Sequence, residues 1–220
     1  MYNHRNMHHI HPNTHPIPHN SHHDIHTYAY PSFIFPPSCP DPAMQCMLIG
    51  DMRKAWEQHV YWTRMLIISI AARLNDESEV TARLLQNPRD IADIFAVFFG
   101  MDAGKTIEDL LTEHLQIGAA LITALRDRSK EADSLKTRWY ANADRMADAF
   151  AALSPFYDRE ELKNMLYEHL DLTTKEALLR LSGNYAADIQ VFDRVENEAI
   201  MMADYFSGGI LQQFPERFMS

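Results

Sequence analysis

Cysteine, glycine and positive charge are all scarce in this chain, and each shortage removes a class of protein from consideration. The two cysteines, Cys39 and Cys46, fall in the first fifty residues, so no disulfide framework can hold the rest together. They are left to bridge locally, to join the nearby histidines on a metal, or to do neither. Only 7 glycines occur, and no glycine-rich turn follows a strand-like run, which leaves nucleotide binding without support. Gly104-Lys105-Thr106 resembles the end of a phosphate loop. The preceding glycine, Gly100, stands three intervening residues away where four are required, and a helical stretch precedes it in place of a strand.

Lys and Arg number 20 against 30 Asp and Glu, a formal net charge of −10. Gripping phosphates needs clustered cations, and no such cluster occurs, so nucleic acid is not the expected partner. The longest largely apolar run, Met65 to Ala72, falls far short of the roughly 20 residues that span a bilayer. The N-terminus lacks the apolar centre of a secretory signal, so a cytoplasmic protein with no membrane contact is expected.

What is abundant is histidine, and its distribution divides the chain. Residues 1–50 hold nine of the 12 histidines and eight of the 11 prolines, with almost no charge. That composition cannot build a packed core and reads as a disordered, metal-scavenging tail. Residues 51–220 carry apolar side chains at three- and four-residue spacing, the pattern of helices. A body of that size buries roughly two thirds of its unfolded surface and needs no structural metal to fold. The expected fold is therefore all-α, an up-and-down bundle of about six helices near 52–74, 78–99, 106–128, 131–153, 158–182 and 184–211. Thr106 with Asp109, and Asp158 with Glu161, read as N-terminal capping pairs, and Gly100 and Gly183 as helix stops. Asn87, followed by Pro88 and Asp90, reads as a cap that breaks or kinks the second helix.

The body keeps three histidines, His59, His114 and His169, at intervals of 55 and 55 residues. Their contexts are alike: Trp-Glu-Gln-His at 56–59, Leu-Thr-Glu-His-Leu at 111–115 and Leu-Tyr-Glu-His-Leu at 166–170. Downstream, Asn87 with Ile91-Ala92-Asp93 and Phe95 matches Asn142 with Met146-Ala147-Asp148 and Phe150. With one residue inserted it also matches Glu198 with Met202-Ala203-Asp204 and Phe206. Such a period points to three repeated helical hairpins. Apolar neighbours three and four residues away turn each histidine inward. In an alternating bundle the three imidazoles lie at one height, and at ~1.5 Å per residue the returning helices reach that height near Asp93, between Asn142 and Asp148, and near Glu198. Glu198 has the most apolar surroundings of these.

A buried imidazole needs partners for both nitrogens. Three histidines and one carboxylate form a sufficient ligand set for Zn, Fe or Mn, giving a candidate site of His59, His114, His169 and Glu198. The Glu-x-x-His pattern of di-iron bundles is absent, which disfavours oxygen chemistry. The competing reading makes the histidines hydrogen-bonded braces, His to Asn in the first two hairpins and His to Glu in the third.

From Met52 to Phe218 the chain resembles a family of small uncharacterised helical proteins of spore-forming bacteria that often carry the label acetylglutamate kinase. The likeness rests on Trp56-Glu57-Gln58-His59 with Trp62-Thr63-Arg64, Arg83-Leu84-Leu85 through Asn87-Pro88, Leu111-Thr112-Glu113-His114-Leu115, Trp139-Tyr140 with Asn142-Ala143-Asp144, and Glu196-Asn197-Glu198 with Met201-Met202-Ala203-Asp204-Tyr205. The kinase label conflicts with the residues, because amino-acid kinases have an α/β sheet and glycine-rich phosphate loops, and this sequence has neither. A second resemblance, through Glu-His followed by apolar helix, is to bacterial helical bundles classed as metalloprotein-like, and implies a buried metal near His114 and His169. Together these readings make the expected protein a metal-binding helical bundle whose tail gathers metal ions. The alternative is a non-enzymatic structural or interaction protein of spores or dormant cells.

Overall fold

A computed structural model describes residues 42–219, and all of their regular structure is helical. The helices are α1 (Pro42–Ala72), α2 (Glu77–Leu84), α3 (Asn87–Phe99), α4 (Met101–Asp127), α5 (Ala132–Ala151), α6 (Arg159–Leu181) and α7 (Tyr185–Gln213), followed by a short 3-10 turn, Pro215–Phe218. The histidine-rich stretch and Cys39 lie outside the described residues, and Cys46 is exposed on α1.

Three boundaries differ from those expected. α1 begins at Pro42, so residues 42–50, read as tail, are helical; Leu48 and Met52 anchor this first part in the core. α4 begins at Met101, directly after Gly100, whose φ of 91° turns the chain between α3 and α4. Thr106 is consequently inside the helix, its hydroxyl donating to the Asp102 carbonyl, and caps nothing. The second expected helix is broken in two at Leu85 and Gln86, and Asn87 is the first residue of α3 and not its cap. The Asp158 cap is as expected, its carboxylate accepting from the Glu161 amide at 2.8 Å.

The helices close into a ring in which α1 packs on α3, α3 on α4, α4 on α5, α5 on α6, α6 on α7 and α7 back on α1. The three histidine-bearing helices α1, α4 and α6 also touch one another inside it. Each of these ends in the same way, with a left-handed residue at Arg73 (φ 51°), Arg128 (φ 55°) and Gly183 (φ 76°). At each end the next amide reaches back to a carbonyl five residues earlier: Leu74 to Ser69, Ser129 to Ala124 and Asn184 to Leu179, at 2.9–3.0 Å. Only one of the three is glycine, so the turn is imposed on two arginines at some cost in backbone energy.

Side chains from the returning helices α3, α5 and α7 fill the centre. Phe95, Phe150 and Phe206, each eight residues after Asn87, Asn142 and Glu198, meet with ring centroids 4.5 to 5.3 Å apart. Trp56 stacks on Phe206 at 5.3 Å. A smaller apolar cluster, with Leu66, Ile67, Ile70, Leu84, Leu115 and Ile122, forms separately. The cavity described below takes His59, His114 and His169 together with Leu66, Leu84, Leu115 and Ile122 in its walls, which sets the histidines against this smaller cluster.

Candidate metal centre

Helix periodicity brings the three histidines together. His59, His114 and His169 are 2%, 2% and 3% exposed, and their ring centroids form a nearly equilateral triangle with sides of 6.0, 6.0 and 5.6 Å. Each can present one nitrogen such that the three lie within 4.8 Å of one another. Nitrogens held 2.0–2.1 Å from one tetrahedral zinc stand roughly 3.3 Å apart, so the three rings would draw in from a spacing of up to 4.8 Å to share one ion.

The second nitrogen of each ring is engaged by the returning helix. Nδ1 of His59 lies 2.9 Å from Asn87 Oδ1, Nδ1 of His114 3.2 Å from Asn142 Oδ1, and Nδ1 of His169 3.1 Å from Glu198 Oε2. Both amides are oriented by a further bond. Asn87 Nδ2 donates to the Ala55 carbonyl at 2.8 Å and Asn142 Nδ2 to the Leu110 carbonyl at 3.1 Å, in each case four residues before the histidine. Reversing either amide would set its oxygen against a carbonyl, so Oδ1 must face the ring and Nδ1 must carry the proton. The lone pairs of His59 and His114 are therefore on Nε2, the nitrogen left to face the centre. Burial also keeps these rings uncharged: it pushes His59 down to about 3 and His114 well below the usual histidine value, with the neighbouring imidazoles adding to both shifts.

Glu198, expected beside the three histidines, meets them from behind. It is buried, spends Oε2 on His169, and its Oε1 has no hydrogen-bond partner. Asn87, read both as a helix cap and as the first hairpin's His-to-Asn partner, is fully buried and meets His59. Asp93 and Asp148 are exposed and pair with Arg89 and Arg159. Glu113 and Glu168 flank the buried face as their helical angle requires and pair with Arg145 and Arg194. Trp139 does more than fill the core: its indole Nε1 donates to the His114 carbonyl at 2.9 Å, with its ring 5.2 Å from that imidazole.

Two features had no signal in the sequence. A cavity of about 10 Å³ borders all three histidines, walled by Leu66, Leu84, Leu115, Ile122 and Trp139 with Thr63 and Thr173. The Thr63 hydroxyl donates to the His59 carbonyl at 2.7 Å, while the buried Thr173 hydroxyl has no partner. Farther along α6, Glu176 is sealed beside Arg64, which donates to it at 2.6 Å and to Asp188 at 2.9 Å; Arg180 also reaches Asp188, at 3.3 Å. Burial pushes Glu176 up to about 7 against the opposing pull of Arg64.

The segment resembling a phosphate loop lies inside α4, with Gly104 buried against Ala96 of α3 and Lys105 paired with Asp109. Among the described residues no helix is long and apolar enough to cross a membrane. Comparison with protein-family models, with curated proteins and with solved structures finds no match to this chain.

Proposed function

We propose that this protein binds a transition metal through Nε2 of His59, His114 and His169, with Asn87, Asn142 and Glu198 orienting the rings from behind. The observation that carries the reading is the common direction of the three Nδ1 bonds. Metal-ligating histidines characteristically give the other ring N–H to a carbonyl or carboxylate that fixes ring and tautomer, and all three rings have such an oxygen at Nδ1. Of Zn, Fe and Mn, an all-imidazole set favours zinc or iron(II), because manganese prefers oxygen donors. Glu198 serves here behind His169 and not as a ligand. The tail is an auxiliary collector.

The repeat fits this reading. Histidines at 59, 114 and 169, left-handed residues at 73, 128 and 183, and ring partners at 87, 142 and 198 recur at 55 or 56 residues. A triplicated hairpin, with its second helix interrupted in the first copy, accounts for all three series. One hairpin supplies one ligand and its orienting partner, and three complete the site.

The second reading, a structural or interaction protein of spores or dormant cells, takes its support from the same hydrogen bonds. Metal content separates the two. After dialysis of the full chain against a weak chelator, the wild type retains about one equivalent of metal more than His114→Ala. The tail is identical in both proteins, so equal content refutes the metal site.

A further inference from the structure

The histidine triad is sealed: its three rings are 2%, 2% and 3% exposed, and the cavity that borders them, at about 10 Å³, has room for no more than one water. A metal site needs an entry path, so an ion reaches the three Nε2 atoms only when part of the wall moves. The walls are not held equally firmly, and the repeat shows which is weakest.

Three residues before the ring partners Asn87, Asn142 and Glu198 stand Leu84, Trp139 and Val195, all of them buried. Trp139 and Val195 lie well inside the long helices α5 and α7. Trp139 walls the cavity and is tied by its indole N–H to the His114 carbonyl at 2.9 Å. Leu84 walls the same cavity from the first hairpin, but it is the last residue of α2, and the helix breaks directly after it at Leu85 and Gln86. α2 has 8 residues, packs chiefly on α1, and buries Leu84 alone. A helix so short draws little stability from its own hydrogen bonds and is kept in place by packing, here by one side chain.

The polar ties of α2 are long or part-exposed. The Arg83 guanidinium stands over the Trp62 ring at 4.9 Å and reaches Gln58 Oε1 at 3.5 Å, and Glu77 lies 3.7 Å from Arg126. Contacts of this kind contribute little. Nη1 of Arg83 even favours release, because it is buried without a hydrogen-bond partner and water would satisfy it once the helix moved out. The segment has a pivot at each end. One is the turn from left-handed Arg73 to Asp76, whose carboxylate accepts from Ser69 at 2.8 Å, and the other is the break at Leu85 and Gln86.

Building on the metal-binding reading above, we infer that α2 is the gate of the metal centre: it swings about these two pivots, Leu84 leaves the cavity wall, and a transition-metal ion passes to the three Nε2 atoms and leaves by the same opening. The interruption of the first hairpin makes this wall movable while the continuous helices of the other two stay in place. Asn87 lies beyond the break, on α3, so His59 keeps its partner while the gate is open. The gate sets how fast metal exchanges and not how tightly it is held.

Zinc release from the full chain to a large excess of a chromophoric chelator tests this. Zinc on the tail leaves in an early phase that His114→Ala reproduces, and the core ion, about one equivalent, leaves the wild type in a later one. Leu84→Ala should speed the later phase at least tenfold with its amplitude kept. Leu66→Ala deletes the same atoms from an equally buried wall residue on the long helix α1, and should speed that phase less than threefold. In the wild type, amide hydrogen exchange should be at least a hundredfold faster over residues 80–85 than over 135–140, the corresponding stretch of the second hairpin. Equal acceleration by the two alanines, or none by Leu84→Ala, overturns the gate while metal binding stands. Equal protection of the two segments overturns it without any substitution. A wild type with no phase beyond that of His114→Ala refutes the metal site itself, and this inference with it.

Discussion

Replacing Asn87 by alanine separates a ligand-orienting residue from a brace, because the two roles differ in how the loss responds to metal. Asn87 is fully buried, with one end on His59 Nδ1 and the other on the Ala55 carbonyl. Alanine suits the start of α3, and the Ala55 carbonyl keeps its helical bond, so the main loss is the partner of a buried imidazole N–H. That costs about 1–3 kcal/mol without metal. If Asn87 also orients a ligand, the variant binds metal 10–100-fold more weakly. At metal 1,000-fold above the wild-type dissociation constant, the wild type gains about 4.1 kcal/mol from binding, and a tenfold weaker variant gains about 2.7 kcal/mol. Urea unfolding with and without zinc should therefore give a destabilisation larger with zinc by about 1.4 kcal/mol for a tenfold loss, and about twice that for a hundredfold one. Any zinc taken up by the tail is common to the wild type and the variant and cancels. An equal destabilisation with and without zinc would refute the orienting role and leave Asn87 a brace.

Two further outcomes follow from packing and charge. With its folded-state value raised to about 7 from an ordinary 4.5, Glu176 holds its proton longer in the folded chain than in the unfolded one. The folded state then binds more protons between these values, so the contribution is complete below pH 4.5 and is lost as pH rises through 7, by up to about 3 kcal/mol. Glu176→Gln should flatten this decline, and urea unfolding at pH 5 and pH 8 should show the variant gaining on the wild type at the higher pH; an equal difference at both would contradict the assignment. At Gly209 a Cβ would stand 1.9 Å from Tyr157 Cε1, and Tyr157 is buried and donates to the Phe206 carbonyl at 2.7 Å. Gly209→Ala should cost about 3 kcal/mol or more in urea unfolding, and a loss under 0.5 kcal/mol would show that the ring can move aside.

Much of the site was legible because it depends on periodicity alone. Inward-facing His59, His114 and His169 follow from their i±3 and i±4 neighbours, and their common height from equal spacing in an alternating bundle. Asn87 was harder to place because Asn-Pro is also a helix-cap signature, and only the backbone shows that α3 starts at that residue with its side chain turned onto His59. Thr106 misled for a related reason. Its spacing to Asp109 satisfies the capping pattern, but Gly100 had already turned the chain, and the helix starts five residues earlier. Thr173 and its cavity could not be read at all. They arise where Leu84 of the interrupted second helix, Leu115 of α4 and Leu66 of α1 fail to fill the space beside the rings, a property of three-dimensional packing with no local signature.

The departure from threefold equivalence has a physical consequence in the proposed metal site. Asn87 and Asn142 orient their rings as neutral amides, and Glu198 occupies the same role with a carboxylate. Three amides would leave a divalent cation with two uncompensated charges in the core, at severe desolvation cost. Three carboxylates would place three negative charges around an empty site, and the bundle would struggle to fold before metal arrived. One carboxylate lies between these limits: a divalent metal with Glu198 would retain a single positive charge. The Glu198 oxygen left without a hydrogen bond is consistent with this balance, since its compensation would come from the charge beyond His169 rather than from a donor beside it. On this argument the third hairpin carries a carboxylate where the other two carry amides because a buried divalent ion needs one fixed negative charge nearby, and a single corner of the triangle is enough to supply it.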